Sequence, residues 1–270
     1  MHKILTMKKV HIGIAMLWVL LASCGGAVKK ENDKVKLAFQ PENGKAFKMV
    51  YEFAVEATGD KPRYVIELSG TASKKDDGEI VLSTNNDKIF MDGSIGGKEV
   101  KFTAGTNDSI PQDVAMAVAP VFSLLNKRFE VTYDTHFNKL SEVMMREGGV
   151  DSTSNKMQFF VRYPDSAVGV GESWEKEILL EPNGKKDFSA KYTLKEVKDG
   201  IATIVVDGKL SGKGENFGHE FSLEGTVTGT VKVEIATGWP VDTDLNQDFT
   251  LDLGGKKSQI KYHVKHTVEK

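Results

Sequence analysis

The sequence predicts a mainly β protein: an antiparallel, strongly curved sheet or partly open barrel, with one apolar helix at about residues 110–126. A β-sandwich is the alternative architecture. Three observations carry the prediction. Apolar and polar residues alternate through most of the chain, turn signals separate the alternating runs, and one segment abandons period two for helical spacing.

The first alternating run is 35–40, Val-Lys-Leu-Ala-Phe-Gln. In 47–57 the odd positions are Phe47, Met49, Tyr51, Phe53, Val55 and Ala57, while Lys48, Glu52 and Glu56 fall on the other face. That is a strand with one face buried and one wet. Further strands are expected at 63–72, 79–84, 87–92 and 98–103. Ser109-Ile110-Pro111-Gln112 then has capping-box spacing. Val114, Val118, Val121, Phe122 and Leu125 follow at helical intervals, with Pro120 expected to kink or interrupt the helix. Ala115, Met116, Ala117, Ala119 and Leu124 make the other faces apolar or small too, so this helix wants burial on several sides. It either packs against one end of a sheet or covers an apolar cavity, for which Val114, Val118, Phe122 and Leu125 are the candidate lining.

Alternation resumes in Phe129-Val131-Tyr133-Thr135-Phe137. Segment 138–162 fits a short strand or the start of a helix, followed by a polar loop. Strands follow at 174–180, 188–194, 201–211, 221–235 and 260–264. Asp76-Asp77-Gly78, Asp92-Gly93, Pro182-Asn183-Gly184, Asp199-Gly200 and Gly254-Gly255 are the turns between them. Gly212-Lys-Gly214-Glu-Asn-Phe-Gly218 lies between strands and precedes no helix, so it reads as a hairpin loop and not as a phosphate-binding one.

The chain has 270 residues, 40% of them hydrophobic and 27% charged, with 36 Lys+Arg against 38 Asp+Glu. That is globular composition, and its balance excludes a strongly basic nucleic-acid binder. A single cysteine, Cys24, excludes an internal disulfide and any Cys-based zinc cluster. Residues 35–270 suffice for one β-rich domain, with two meander halves, 35–150 and 160–270, as a finer division. Gly44-Lys-Ala-Phe47 and Gly171-Glu-Ser-Trp174 open the two halves in similar ways.

Before Cys24 stands a leader. Lys8 and Lys9 form a positive region, and Ile12 to Leu21 is an apolar run. The run is far short of the ~20 residues a membrane-spanning helix needs, which suits an export signal over 1–23. Leu21-Ala22-Ser23-Cys24 resembles the bacterial lipobox. The resemblance implies cleavage before Cys24 and acyl chains on that residue, which then hold the protein to a membrane. Cleavage removes Lys3, Lys8 and Lys9 and no acid, so 33 basic residues of the 36 remain against 38 acidic, a charge of about −5. Such a globule is repelled by anionic head groups, and anchoring falls to the acyl chains. Gly25 and Gly26, in place of Asp, favour the outer membrane facing the periplasm, with surface exposure as the other placement. Residues 24–34 form the lipidated N-terminus and a polar tether.

Chemistry is sparse. His263 and His266 are three apart, which on a strand sends them to opposite faces, and both lie near the chain end where surface positions are expected. Asp242, Asp244, Asn246 and Asp248 alternate as a calcium loop begins, but Gln247 stands where that loop needs Gly and Leu253 where it needs Glu. In a strand the same four residues line one wet face. No Gly-x-Ser-x-Gly elbow is present, and an acylated Cys24 cannot act as a nucleophile. No catalytic residue and no cofactor are expected.

Tyr163-Pro164-Asp165-Ser166-Ala167-Val168-Gly169-Val170-Gly171-Glu172-Ser173-Trp174 is the most distinctive string. With Val35-Lys-Leu-Ala-Phe39, Gly44-Lys-Ala-Phe47 and Thr237-Gly238-Trp239-Pro240-Val241, it resembles an uncharacterised domain-of-unknown-function family of Bacteroidetes-type secreted lipoproteins. Ala167 replaces a second proline of that pattern. The resemblance implies no catalytic residues. A half-barrel around a helix also resembles, as a fold, the carriers of lipoproteins and lipids in the periplasm. The expected function is therefore a non-enzymatic envelope lipoprotein that binds a lipid or other apolar ligand in a curved sheet. An envelope scaffold recognising another protein is the alternative, and an enzyme acting on envelope polymers the third.

Overall fold

The computed structural model describes residues 34–105, 112–146, 149–152, 161–179, 186–216 and 219–269. The leader, Cys24 and Ser109-Ile110-Pro111 of the expected cap lie outside these residues. The first seven strands are β1 (Ala46–Ala57), β2 (Lys61–Lys74), β3 (Ile80–Ile95), β4 (Lys98–Thr103), β5 (Arg128–Tyr133), β6 (Lys139–Arg146) and β7 (Gly149–Ser152), with helix α1 (Gln112–Phe122) between β4 and β5. Then come β8 (Ser173–Leu179), β9 (Lys186–Lys198), β10 (Ile201–Asn216), β11 (His219–Glu234), β12 (Trp239–Leu253) and β13 (Lys256–Glu269). Asp33–Lys270 is one compact unit.

All thirteen strands join one antiparallel sheet, in the order β7-β6-β5-β3-β2-β1-β13-β12-β11-β10-β9-β8, with β4 beside the far half of β3. The chain thus runs outward from β1 to one edge, crosses to β8 at the other edge, and works back inward until β13 pairs with β1. Phe53 stands opposite Val264 at that seam. The sheet does not close into a barrel.

The sheet is strongly rolled. Tyr133 on β5 and Tyr192 on β9 are eight strand spacings apart, about 38 Å if the sheet were flat. Yet the Arg162 guanidinium acts on both phenols, and both rings belong to one buried cluster with Phe39, Leu82, Ile204 and Trp239. Close backbone packing on the inner face allows the roll. A Cβ on Gly225 of β11 would lie 2.3 Å from the Phe249 Cβ on β12, so only glycine fits beside that ring.

Several local expectations change. The runs 79–84 and 87–92 are one strand, β3, with an extra residue at Asp87: Glu67 pairs with Lys88 and Leu68 with Asn86. The bulge reverses the phase, so the buried positions change from Ile80 and Leu82 to Ile89 and Met91. Residues 35–40 are not a strand. Val35 makes a single bridge, to Val168, while Leu37 and Phe39 plunge into the core. The run from Phe129 ends at Tyr133, because the Asp134 carboxylate accepts from the backbone N–H groups of His136 and Asn138 and bends the chain. Segment 138–162 supplies the hairpin β6–β7. β10 continues through Gly212 and Gly214 to Asn216 where a loop was expected.

The helix is shorter than the predicted 110–126 and passes Pro120 by two residues before ending. It is also wet on one side: Met116 is 86% exposed. Val114 and Val118, four apart, form its one buried stripe.

Candidate functional site

One end of the rolled sheet is plugged by irregular chain. Segments 35–40, 134–138 and 161–172 lie across it and share backbone hydrogen bonds with the turn at 235–238. Phe39 N–H donates to Thr135 O, Gln40 N–H to Thr237 O, and Tyr163 N–H to His136 O. The Tyr163 hydroxyl donates to the Gly238 carbonyl at 2.6 Å, and Trp174 Nε1 to the Arg162 carbonyl at 2.7 Å. Rings fill the space between: Phe39 stands edge-on to Phe137 at 4.6 Å, Tyr133 stacks on Phe137 at 4.7 Å, and Trp174 stacks on Tyr192 at 5.6 Å. Arg162 is buried among them and donates to the Val161 carbonyl. Burial holds its guanidinium below the usual arginine range, and burial pushes the phenols of Tyr133, Tyr163 and Tyr192 up. The phenols are therefore neutral hydrogen-bonding groups at any working pH, and this end is a structural stopper.

The rest of the inner face is different. Two buried clusters occupy it, the large one at the plug and a small one under α1. Between them lies a stripe of half-buried apolar residues contributed by strands that the β1–β13 seam brings together. Phe53 and Val55 come from β1, Ile260 and Tyr262 from β13, and Phe249 from β12. Val55 stands opposite Tyr262, and Ile260 opposite Phe249. Phe249 stacks on Tyr262 at 5.5 Å and Phe53 on Tyr64 at 4.7 Å. Burial raises the Tyr64 phenol, and Tyr262 adds to the shift. Tyr51 lies beside Phe53, and burial of its phenol pushes it up to about 12. The stripe offers apolar area and neutral phenols, with no convergent acid–base pair.

The candidate lining residues fall at its border. Val114 and Val118 are buried against Tyr64, Met91, Val100 and Phe102, so they are packed by the protein itself. Phe122 packs at the edge of that cluster, and Leu125 is half-buried beyond the helix end. Alternation could have flagged Phe53, Tyr262 and Phe249, since they sit in phase with core residues; that they stay half-exposed depends on the roll. Asp242, Asp244, Asn246 and Asp248 lie along the outer face of β12. Asp242 pairs with Lys232 at 3.3 Å, Asp244 with His263 at 2.8 Å, and Asp248 accepts from Gln259. The bond from His263 holds the Asp244 carboxyl below its ordinary value. Among the described residues no three His, Cys, Asp or Glu side chains are grouped to hold a metal ion. His266, expected at the surface, is 2% exposed, with Nε2 3.2 Å from Thr243 Oγ1. Cys24 lies outside the described residues.

Residues 118–240 match a family of unknown function, DUF6263. The matched span begins inside α1 and ends at Pro240, just into β12. It carries Tyr133, Phe137, Arg162, Tyr163, Trp174, Tyr192 and Trp239, so the plug is largely built from it. The likeness to an uncharacterised domain stands on this span. No curated protein matches the chain.

Proposed function

We propose that this chain is a non-enzymatic lipoprotein of a bacterial cell envelope, anchored through acyl chains on Cys24, whose rolled sheet takes a lipid or other apolar ligand against its inner face. The observation that carries the reading is the stripe of Phe53, Val55, Phe249, Ile260 and Tyr262, apolar and only partly buried between the two packed clusters. Apolar area left open inside a curved sheet costs free energy unless something covers it, and each methylene of a ligand buried there is worth ~0.8 kcal/mol. The lipobox-like Leu21-Ala22-Ser23-Cys24 supports the anchor, and Gly25-Gly26 supports the outer membrane facing the periplasm. The likeness to Bacteroidetes-type secreted lipoproteins supports the compartment.

Native mass spectrometry of the Cys24→Ser protein, released without acyl chains, tests the ligand. A co-purifying lipid mass that is lost in Phe53→Asp is the expected result. A clean apo mass, together with no uptake of a fluorescent fatty acid, would overturn carriage and leave the envelope-scaffold reading in its place. Metabolic labelling with a palmitate analogue, present in the native chain and absent in Cys24→Ser, tests the anchor.

A further inference from the structure

The outer face of the sheet holds a second concavity, remote in character from the apolar stripe. Strand register places Glu269, Lys48, Ser69, Asn85 and Arg128 in one row across β13, β1, β2, β3 and β5. Each alternates with inward residues such as Met49 and Leu68, so all five point outward. The middle of the row is short side chains and its ends are long ones. With Thr71 in the neighbouring row, this leaves an open groove of about 710 Å³.

We infer that this groove binds a short acidic oligosaccharide. The floor is hydroxyl and amide. Ser69 and Thr71 make no side-chain hydrogen bond among the described residues, and Asn85 donates to Asp87 at 2.6 Å, leaving its own carbonyl oxygen to accept. Donors and acceptors of this kind match the hydroxyls of a sugar ring. Two cations frame the floor, three strand spacings or about 14 Å apart. Lys48 forms no ion pair among the described residues. Arg128 meets Glu130 at 3.5 Å, one long contact for a group with five donors. A ligand lying along the row would set its hydroxyls over Ser69, Thr71 and Asn85 and its negative group at Lys48. Glu269, at the far side of Lys48, is left to accept a sugar hydroxyl. Phe47 is the aromatic residue that lines the groove among the described residues, and it is buried, so a flat apolar ligand finds little to lie on.

Isothermal titration of the full chain, kept soluble in a mild detergent, tests the inference with three probes: trigalacturonate, maltotriose and inorganic phosphate. Trigalacturonate should bind saturably and at least fivefold more tightly than maltotriose. Lys48→Met should remove that preference while leaving maltotriose unchanged, and Ser69→Val should weaken both sugars fivefold or more. Both positions face solvent, and an unchanged circular dichroism spectrum verifies that the variants fold. Equal binding of the two sugars, indifference to Lys48→Met, or phosphate binding as tight as trigalacturonate would each overturn the site.

Discussion

His266 makes stability depend on pH in a way that can be worked from its surroundings. Its ring is buried between β12 and β1, with Nε2 within reach of Thr243 Oγ1 at 3.2 Å and the Pro240 carbonyl at 3.3 Å. Burial, opposed by that carbonyl and by Asp242, lowers its pKa from 6.5 to about 4. The folded ring therefore stays neutral where the unfolded one is already protonated. Stability contributed by the neutral ring is complete above about pH 6.5, falls as acid is added, and levels off below about pH 4. Over the full shift the loss is about 3.4 kcal/mol, and between pH 7 and 4.5 it is about 2.4 kcal/mol, at 1.36 kcal/mol per unit. His266→Gln keeps an amide that donates to Pro240 and accepts from Thr243 but does not titrate. Urea unfolding of both proteins at half-unit pH steps isolates this one imidazole, because the remaining titratable groups are the same in the two. The difference in stability between them should narrow by about 2 kcal/mol from pH 7 to pH 4.5, equivalent to several degrees of melting temperature in a domain of this size. Curves that stay parallel across that range would refute the buried neutral ring.

Other perturbations follow from the plug, the helix and the acidic strand. Tyr163→Phe removes the phenol that satisfies the buried Gly238 carbonyl and should cost about 1–3 kcal/mol in denaturant unfolding. Gly238→Ala should cost more, above about 2 kcal/mol, because residue 238 has φ 64° and the added Cβ would stand 1.9 Å from the Ala38 carbonyl oxygen; equal melting temperatures of the two variants would count against the plug as drawn. Val118→Asp should unfold the helix cluster with a loss of several kcal/mol, whereas Met116→Lys, on the wet side, should stay within about 0.5 kcal/mol of the native protein. Asp244→Asn breaks the exposed contacts to His263 and Lys265, worth up to about 1 kcal/mol, and calcium should shift the melting temperature of neither protein in scanning fluorimetry.

The strands were legible because one face of each is wet, and a period-two pattern survives wherever a sheet has two different sides. Legibility ended where that rule was broken for a tertiary reason. Val35, Leu37 and Phe39 alternate like a strand, but they alternate because the segment threads a plug with the core on one side. β3 reads as two pieces since the bulge at Asp87 shifts the buried phase, and no local residue type announces the extra position. Met116 lies on an apolar helix and yet faces solvent, because only β2, β3 and β4 are there to cover it. The site was less legible than the fold. Phe53 and Tyr262 lie at the two far ends of the folded unit, and only the seam between the first and last strands brings them side by side. Arg162 sits between apolar residues, Val161 and Tyr163, where a charge reads as a solvated interruption; its burial follows from the nine strands from β5 to β9 curling round to meet it.

That seam bears on how the molecule comes to exist. Because β1 pairs with β13, the first strand completed during synthesis waits for the last one before its second edge is satisfied. Until then Val50, Phe53 and Val55 flank a row of open backbone groups, the kind of edge that recruits other chains. Contacts of such long sequence separation also close slowly. The order of events is thus written into the topology. The two meanders can zip from their hairpins independently, but neither half has a finished centre, and removing the final strand would leave a sheet split down its middle, with two fresh edges and the apolar stripe cut in two.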